Sequence, residues 1–134
     1  MQDRPDLQSM LFAVAAFLER EAVPATADPS VAFRLRIAAH LCAMGAREVH
    51  HEGQDDAADL DALEALVGEA PLAPAERRDR VARRQAIRML ERRLGEQIDA
   101  DEDDAAASAD ALQAMLGRRL RVANPRFDLR EDLP

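Results

Sequence analysis

The sequence predicts an all-α protein: a compact bundle of about five helices around a central, apolar second helix. Three observations carry this. Apolar residues recur at helical spacings of three and four through most of the chain. Of the hydrophobic 48%, the largest share is alanine, with four Phe, no Trp and no Tyr, a composition poor for a sheet core. Prolines and glycines punctuate the periodic segments at helix-length intervals. At 134 residues the chain fits one domain spanning 1–134.

The first helix is expected from about residue 6 to 22, with Asp6 as its start and Pro24 as its stop. Leu7, Met10, Leu11, Val14, Phe17 and Leu18 follow the spacing of one buried stripe, with Phe12 off it. A second helix opens at Asp28-Pro29-Ser30, where Asp28 can cap and Pro29 suits the first helical position, and runs to about His51. Phe33, Ile37, Leu41 and Met44 form one stripe; Leu35, Ala39, Cys42, Ala46 and Val49 form another. A helix apolar on so many sides is expected at the centre, with Cys42 as a small core residue and His40 as a buried, hydrogen-bonded one. Leu41→Ala is then expected to cost about 2–5 kcal/mol.

The third helix, about 56–67, presents Leu60, Leu63, Leu66 and Val67 and ends at Gly68. The fourth is expected from about 75 to 98 with Val81, Ile87, Leu90, Leu94 and Ile98 inward and Gly95 as a stop or kink. The fifth, about 104–122, turns Leu112, Met115, Leu116 and Leu120 inward and ends at Asn124-Pro125.

Net charge is −8, which disfavours nucleic acid as a partner, and the absence of Trp and Tyr removes the usual base-stacking platforms. One cysteine cannot form an intrachain disulfide. No apolar run is long enough to cross a bilayer and the N-terminus lacks the order of a signal peptide, so a soluble cytoplasmic protein without a membrane role is expected. All 18 basic residues are arginine, so Schiff-base and phosphate-loop lysine chemistry is excluded.

Eight of those arginines lie between Glu76 and Arg93. Arg77, Arg80, Arg84 and Arg88 share one side of the fourth helix and form a candidate interaction face. From Glu52 to Glu64 the chain carries six acids and no base. That acidic helix is the internal counter-charge; a partner's acidic surface or a phosphorylated ligand is the external one. Glu48, His51 and Glu52 share a face but lack the further converging ligand a zinc site needs, and no HExxH is present. Asp99, Asp101 and Asp103 fit the start of a calcium loop, but Asp104 stands where that loop needs glycine, so capping of the fifth helix explains them better. Whether the 99–104 linker holds a cation stays open. No metal, cofactor or catalytic residue is assigned.

The stretches LQSMLFAVAAFLEREAVP and AFRLRIAAHLCAMGAREV, with the ending LRVANPRF, resemble a family of small uncharacterised bacterial helical proteins. That resemblance covers about the first 50 residues and the last dozen, and departs in the arginine-rich middle. It implies a gene neighbourhood of aminoglycoside-phosphotransferase-like kinases and acyl-CoA dehydrogenases, and brings no catalytic residue. The expected function is a non-catalytic accessory or interaction protein, docking on such an enzyme or on itself. A small-molecule binder for an acyl or phosphorylated compound is the alternative, and a small enzyme without a recognisable motif ranks last. Arg126 and Phe127 are expected to fold back on the helical body, Phe127 packing near the first two helices and Arg126 near a carboxylate or a helix C-terminus.

Overall fold

The computed structural model describes residues 5–126. All its regular elements are helical, with no strand among the described residues. Among the described residues there are four long helices rather than five. Helix α1 (Leu7–Phe17) runs on through a π-helical turn (Leu18–Ala22) into a last turn (Val23–Ala25). Helix α2 spans Pro29–Val67, α3 Arg80–Ala100 and α4 Glu102–Ala123, with a short 3-10 turn at Glu76–Arg78.

Helix starts follow side-chain caps. The Asp6 carboxylate accepts from the Ser9 N–H at 2.7 Å, and Asp28 accepts from Ser30 at 2.8 Å. The Ser9 backbone bond holds the Asp6 carboxyl below its usual value. Its contribution is therefore complete above the unfolded-state pKa and is lost as pH falls through the lower folded value. Pro24 does not stop α1. The π turn lies directly ahead of it, with the Val23 N–H reaching back to the Leu18 carbonyl. This widened turn takes up the missing donor and the ring clash that would break a regular helix.

The expected second and third helices are one helix of 39 residues. Gly53 costs propensity, but it does not take a left-handed conformation and no proline follows to force a break. Ion pairs from Glu52, Asp55 and Asp56 to other helices hold the polar stretch helical. Gly68, at φ +79°, ends α2 as expected, with its N–H bonded to the Glu64 carbonyl at 2.9 Å. Helix α3 starts later than the sequence pattern suggested. Asp79 caps it, accepting from Ala82 at 2.9 Å, and Gly95 does not end it. Asp101 accepts from the Asp103 N–H at 2.9 Å, so the acidic linker works as a cap for α4.

The fold's contacts group into two units. The first comprises 5–51 and 122–126; the second comprises 52–121. Helix α2 contributes its N-terminal part to the first and its C-terminal part to the second.

The second unit has a core of large side chains. Leu60 and Leu63 of α2, Ala86, Ile87, Leu90 and Leu94 of α3, and Met115 of α4 are buried together. Leu66, Val67, Leu72, Met89 and Ile98 pack on their edge. Val81, expected inside, is exposed, as are Leu112 and Leu116.

The first unit is built the other way round. Its buried residues are small: Ala15 of α1 and Ala32, Ala39 and Ala46 of α2, the last three spaced by seven. Leu11 of α1 sits over Gly45, where an added Cβ would lie 3.6 Å from the leucine Cδ1. Gln8 meets the His50 ring at 3.2 Å. Residues near the start of α1 thus face residues late in this part of α2, so the two run antiparallel. The stripe expected to be buried on α1 is divided. Leu11 and Leu18 are half-buried, whereas Leu7, Met10, Val14 and Phe17 are exposed. On α2, Phe33, Ile37 and Leu41 are exposed, Leu41 at 53%, and Met44 is half-buried. The second helix is therefore not buried all round. His40 is exposed too, and Cys42 half-buried. Small residues permit close helix approach along one seam, and this seam turns the large residues away from it.

Candidate functional site

The sequence offered an arginine face on the fourth helix, and the structure shows what that face meets. Arg77, in the 3-10 turn, bonds Glu64 at 2.7 Å and also reaches Asp61. Arg80 pairs with Glu52, and Arg84 with Asp56 at 3.2 Å and Glu52 at 3.4 Å. Arg88 is exposed. Three of the four candidate arginines are thus engaged by the acidic half of α2, the internal counter-charge anticipated from the sequence. The Glu64 hydrogen bond comes first among the causes that raise the Arg77 pKa, which keeps it charged. The same pairing continues beyond that face. Arg93 meets Glu69, and Arg83 donates to the carbonyls of Arg77 and Arg78.

The sequence reading missed the arginines of α4. Arg118 brings Nε and Nη2 to the same Asp59 oxygen, at 2.7 and 2.6 Å. Arg119 lies 3.7 Å from the other Asp59 oxygen and pairs with Glu91, the bond to Glu91 being the main cause of its raised pKa. Arg121 bonds Asp55 at 2.7 Å. Asp59 is only 6% exposed and is the one buried charged residue among those described. A signal existed in the matched spacing: Asp55 and Asp59 lie four apart on one helix, Arg118 and Arg121 three apart on another.

Beside this lattice, α3 and α4 leave an open groove of about 340 Å³. Leu63, Leu94, Ile98, Leu112, Met115 and Leu116 line it, together with Gly95, Glu91 and Arg119. The exposure of Leu112 and Leu116 comes from this groove. A Cβ built on Gly95 meets nothing within 4 Å.

The first unit carries the other surface: the exposed stripes of α1 and α2 described above. At its edge Arg47 Nε donates to the Val122 carbonyl at 2.8 Å, in the last turn of α4, where a cation is favoured. Arg47 takes the position at a helix C-terminus expected for Arg126. Arg126 itself is exposed, and its backbone N–H reaches the Asn124 side chain at 3.4 Å. Phe127 lies outside the described residues. His50 and His51 stack edge to face at 4.7 Å, and no group of three or more potential ligands among the described residues could hold a metal ion. No helix among those residues is long and apolar enough to cross a membrane.

A family model matches residues 24–127, most of the chain, including the AFRLRIAAHLCAMGAREV stretch and the Asn-Pro-Arg-Phe ending. The chain belongs to this family, described as a domain of unknown function (DUF6285). The DUF6285 match also runs through the arginine-rich middle, where the resemblance noted above had departed, and it begins after the main part of α1. No curated protein and no solved structure matches the chain.

Proposed function

We propose that this DUF6285 protein is a non-catalytic interaction protein that docks through the apolar surface of its first unit. One observation carries the reading: large apolar residues on α1 and α2 face solvent while alanines occupy the interior, with Phe33 at 61% exposure. An isolated exposed leucine is ordinary, but apolar stripes repeated along two packed helices mark a surface made to be covered. The internal pairing of Arg77, Arg80 and Arg84 makes these arginines less accessible to an external anion, which also favours the apolar surface. The kinase-like and acyl-CoA-related enzymes implied by the family resemblance are the partner classes to seek. Ile37→Glu places a charge in the stripe without filling or emptying a core. Affinity capture from the native host with the wild-type chain, compared with this variant, is expected to lose its specific protein partner in the variant. Equal recovery by both overturns the reading.

The groove in the second unit supports a second reading, a binder of small, largely apolar molecules with a polar end near Arg119. Its volume falls within the range of about 300–1,000 Å³ typical of ligand sites. Gly95→Leu would grow a side chain into that space. Native mass spectrometry is then expected to show a bound small molecule on the wild type and none on the variant; an unliganded wild type expressed in its host counts against this reading.

A further inference from the structure

The exposed stripes of the first unit fit one occupant best, and we infer that it is a second copy of this chain, the two copies pairing through α1 and the N-terminal part of α2. This inference rests on the interaction reading above and names its partner. Consider first what each helix does with its apolar residues. In α1, Ala15 is buried, with Leu11 and Leu18 half-buried beside it, in the seam facing α2. Leu7, Met10, Val14 and Phe17, spaced by three, four and three, make a second seam rotated away from the first. In α2, Ala32, Ala39 and Ala46 are buried, while Phe33, Ile37 and Leu41, spaced by four, face out. A helix pair that had only itself to stabilise would turn its large residues inward, because burial free energy scales with apolar area. Here the small residues are inside and the large ones outside.

The area is of the right size for self-association. Seven large apolar side chains, each between 43% and 61% exposed, make up the two stripes, more than the scattered single apolar residues of an ordinary surface and of the order that a standard interface of about 800 Å² per partner covers. Charge points the same way. The whole chain carries −8, so two copies repel each other at long range. The segment Leu7–Phe17 has no charged residue at all. Across a two-fold axis residue i meets residue j of the other copy and j meets i, so only a charge close to the axis faces its own like; the uncharged helix α1 can lie at the axis without that cost, with Arg34 and Arg36 of α2 away from it. Two such helix pairs bring four helices together around large side chains, the arrangement in which a helix with two apolar seams is stable.

Sedimentation velocity of the full chain over a wide concentration range tests this. The wild type is expected to sediment at twice the chain mass, and its melting temperature to rise with concentration, as only an associating protein's does. Val14→Glu and Ile37→Glu are each expected to weaken the dimer by about a hundredfold or more, by burying like charges against each other. Their circular dichroism should stay helical, because both side chains already face solvent; Val14→Gln serves if the charged variant fails to fold. Val81→Glu, an exposed apolar position in the second unit outside the groove, should leave the dimer intact. A wild type that stays monomeric at every concentration, or stripe variants that remain dimeric, overturns the inference. The interaction reading fails separately. A monomeric wild type that still loses a captured protein on Ile37→Glu keeps that reading and refutes the second copy. A stripe-dependent dimer with unaltered capture supports the second copy and refutes docking of another protein on this face.

Discussion

Leu90→Ala is expected to destabilise the protein by about 2–5 kcal/mol, while Leu41→Ala in the monomer should cost less than about 1 kcal/mol. Both replace a leucine on a helix, and the sequence pattern around Leu41 is the more apolar of the two. The difference is in what surrounds them. Leu90 is fully buried, among Leu60, Leu63, Ile87, Leu94 and Met115. Removing its isobutyl group takes away the transfer free energy of the buried atoms and leaves a cavity that rigid helices can only partly close. Leu41 is 53% exposed, so truncation removes atoms that are half in water already and opens no void. Urea unfolding of both variants, at a concentration where the wild type is monomeric, measures the contrast. Equal losses at that concentration would mean that Leu41 is buried within the single chain, against its 53% exposure. Repeating the Leu41→Ala measurement at high protein concentration ties the result to association, since a side chain covered by a second copy contributes only when that copy is bound.

The contrast also shows how far the sequence could be read. Helical class, the caps at Asp6 and Asp28, the stop at Gly68 and the apolar edge of Leu60 and Leu63 all follow from local rules, and local interactions decide them. The acidic stretch and the arginine run were legible as a pair because both signs and spacings were visible. Three things were not. The join of two expected helices into Pro29–Val67 depends on ion pairs from residues far along the chain, which hold Glu52 and Asp56 helical despite Gly53. Which of two apolar stripes faces inward cannot be decided by periodicity, because Ala39 and Ile37 score alike as apolar and only close approach of the helices favours the smaller. Asp59 was one of six acids in a row of candidates, and its burial depends on where α4 lies, which no local signal gives.

Asp59 is therefore the position where the loss of one partner should be felt most sharply. Arg118→Ala is expected to cost about 3 kcal/mol, toward the lower end for a broken buried pair because the Arg118 side chain is still 21% exposed. The wild-type pair itself contributes far less than that figure. Bringing a carboxylate and a guanidinium out of water costs nearly what their attraction and hydrogen bonds return. Removing the arginine alone keeps the cost of burying Asp59 and forfeits the return, leaving only Arg119 at 3.7 Å, which is shared with Glu91. Arg118→Lys should recover part of the loss, since the charge returns but two converging N–H groups become a single ammonium. The double variant Asp59→Leu, Arg118→Met removes both charges and fills the same space with apolar atoms. It is expected to unfold within about 1 kcal/mol of the wild type, so the single losses will not add. A double variant as unstable as the sum of its single variants would show instead that the pair adds net stability, and that the lattice between α2 and α4 is a main source of the second unit's stability rather than a device that fixes which faces of the two helices meet.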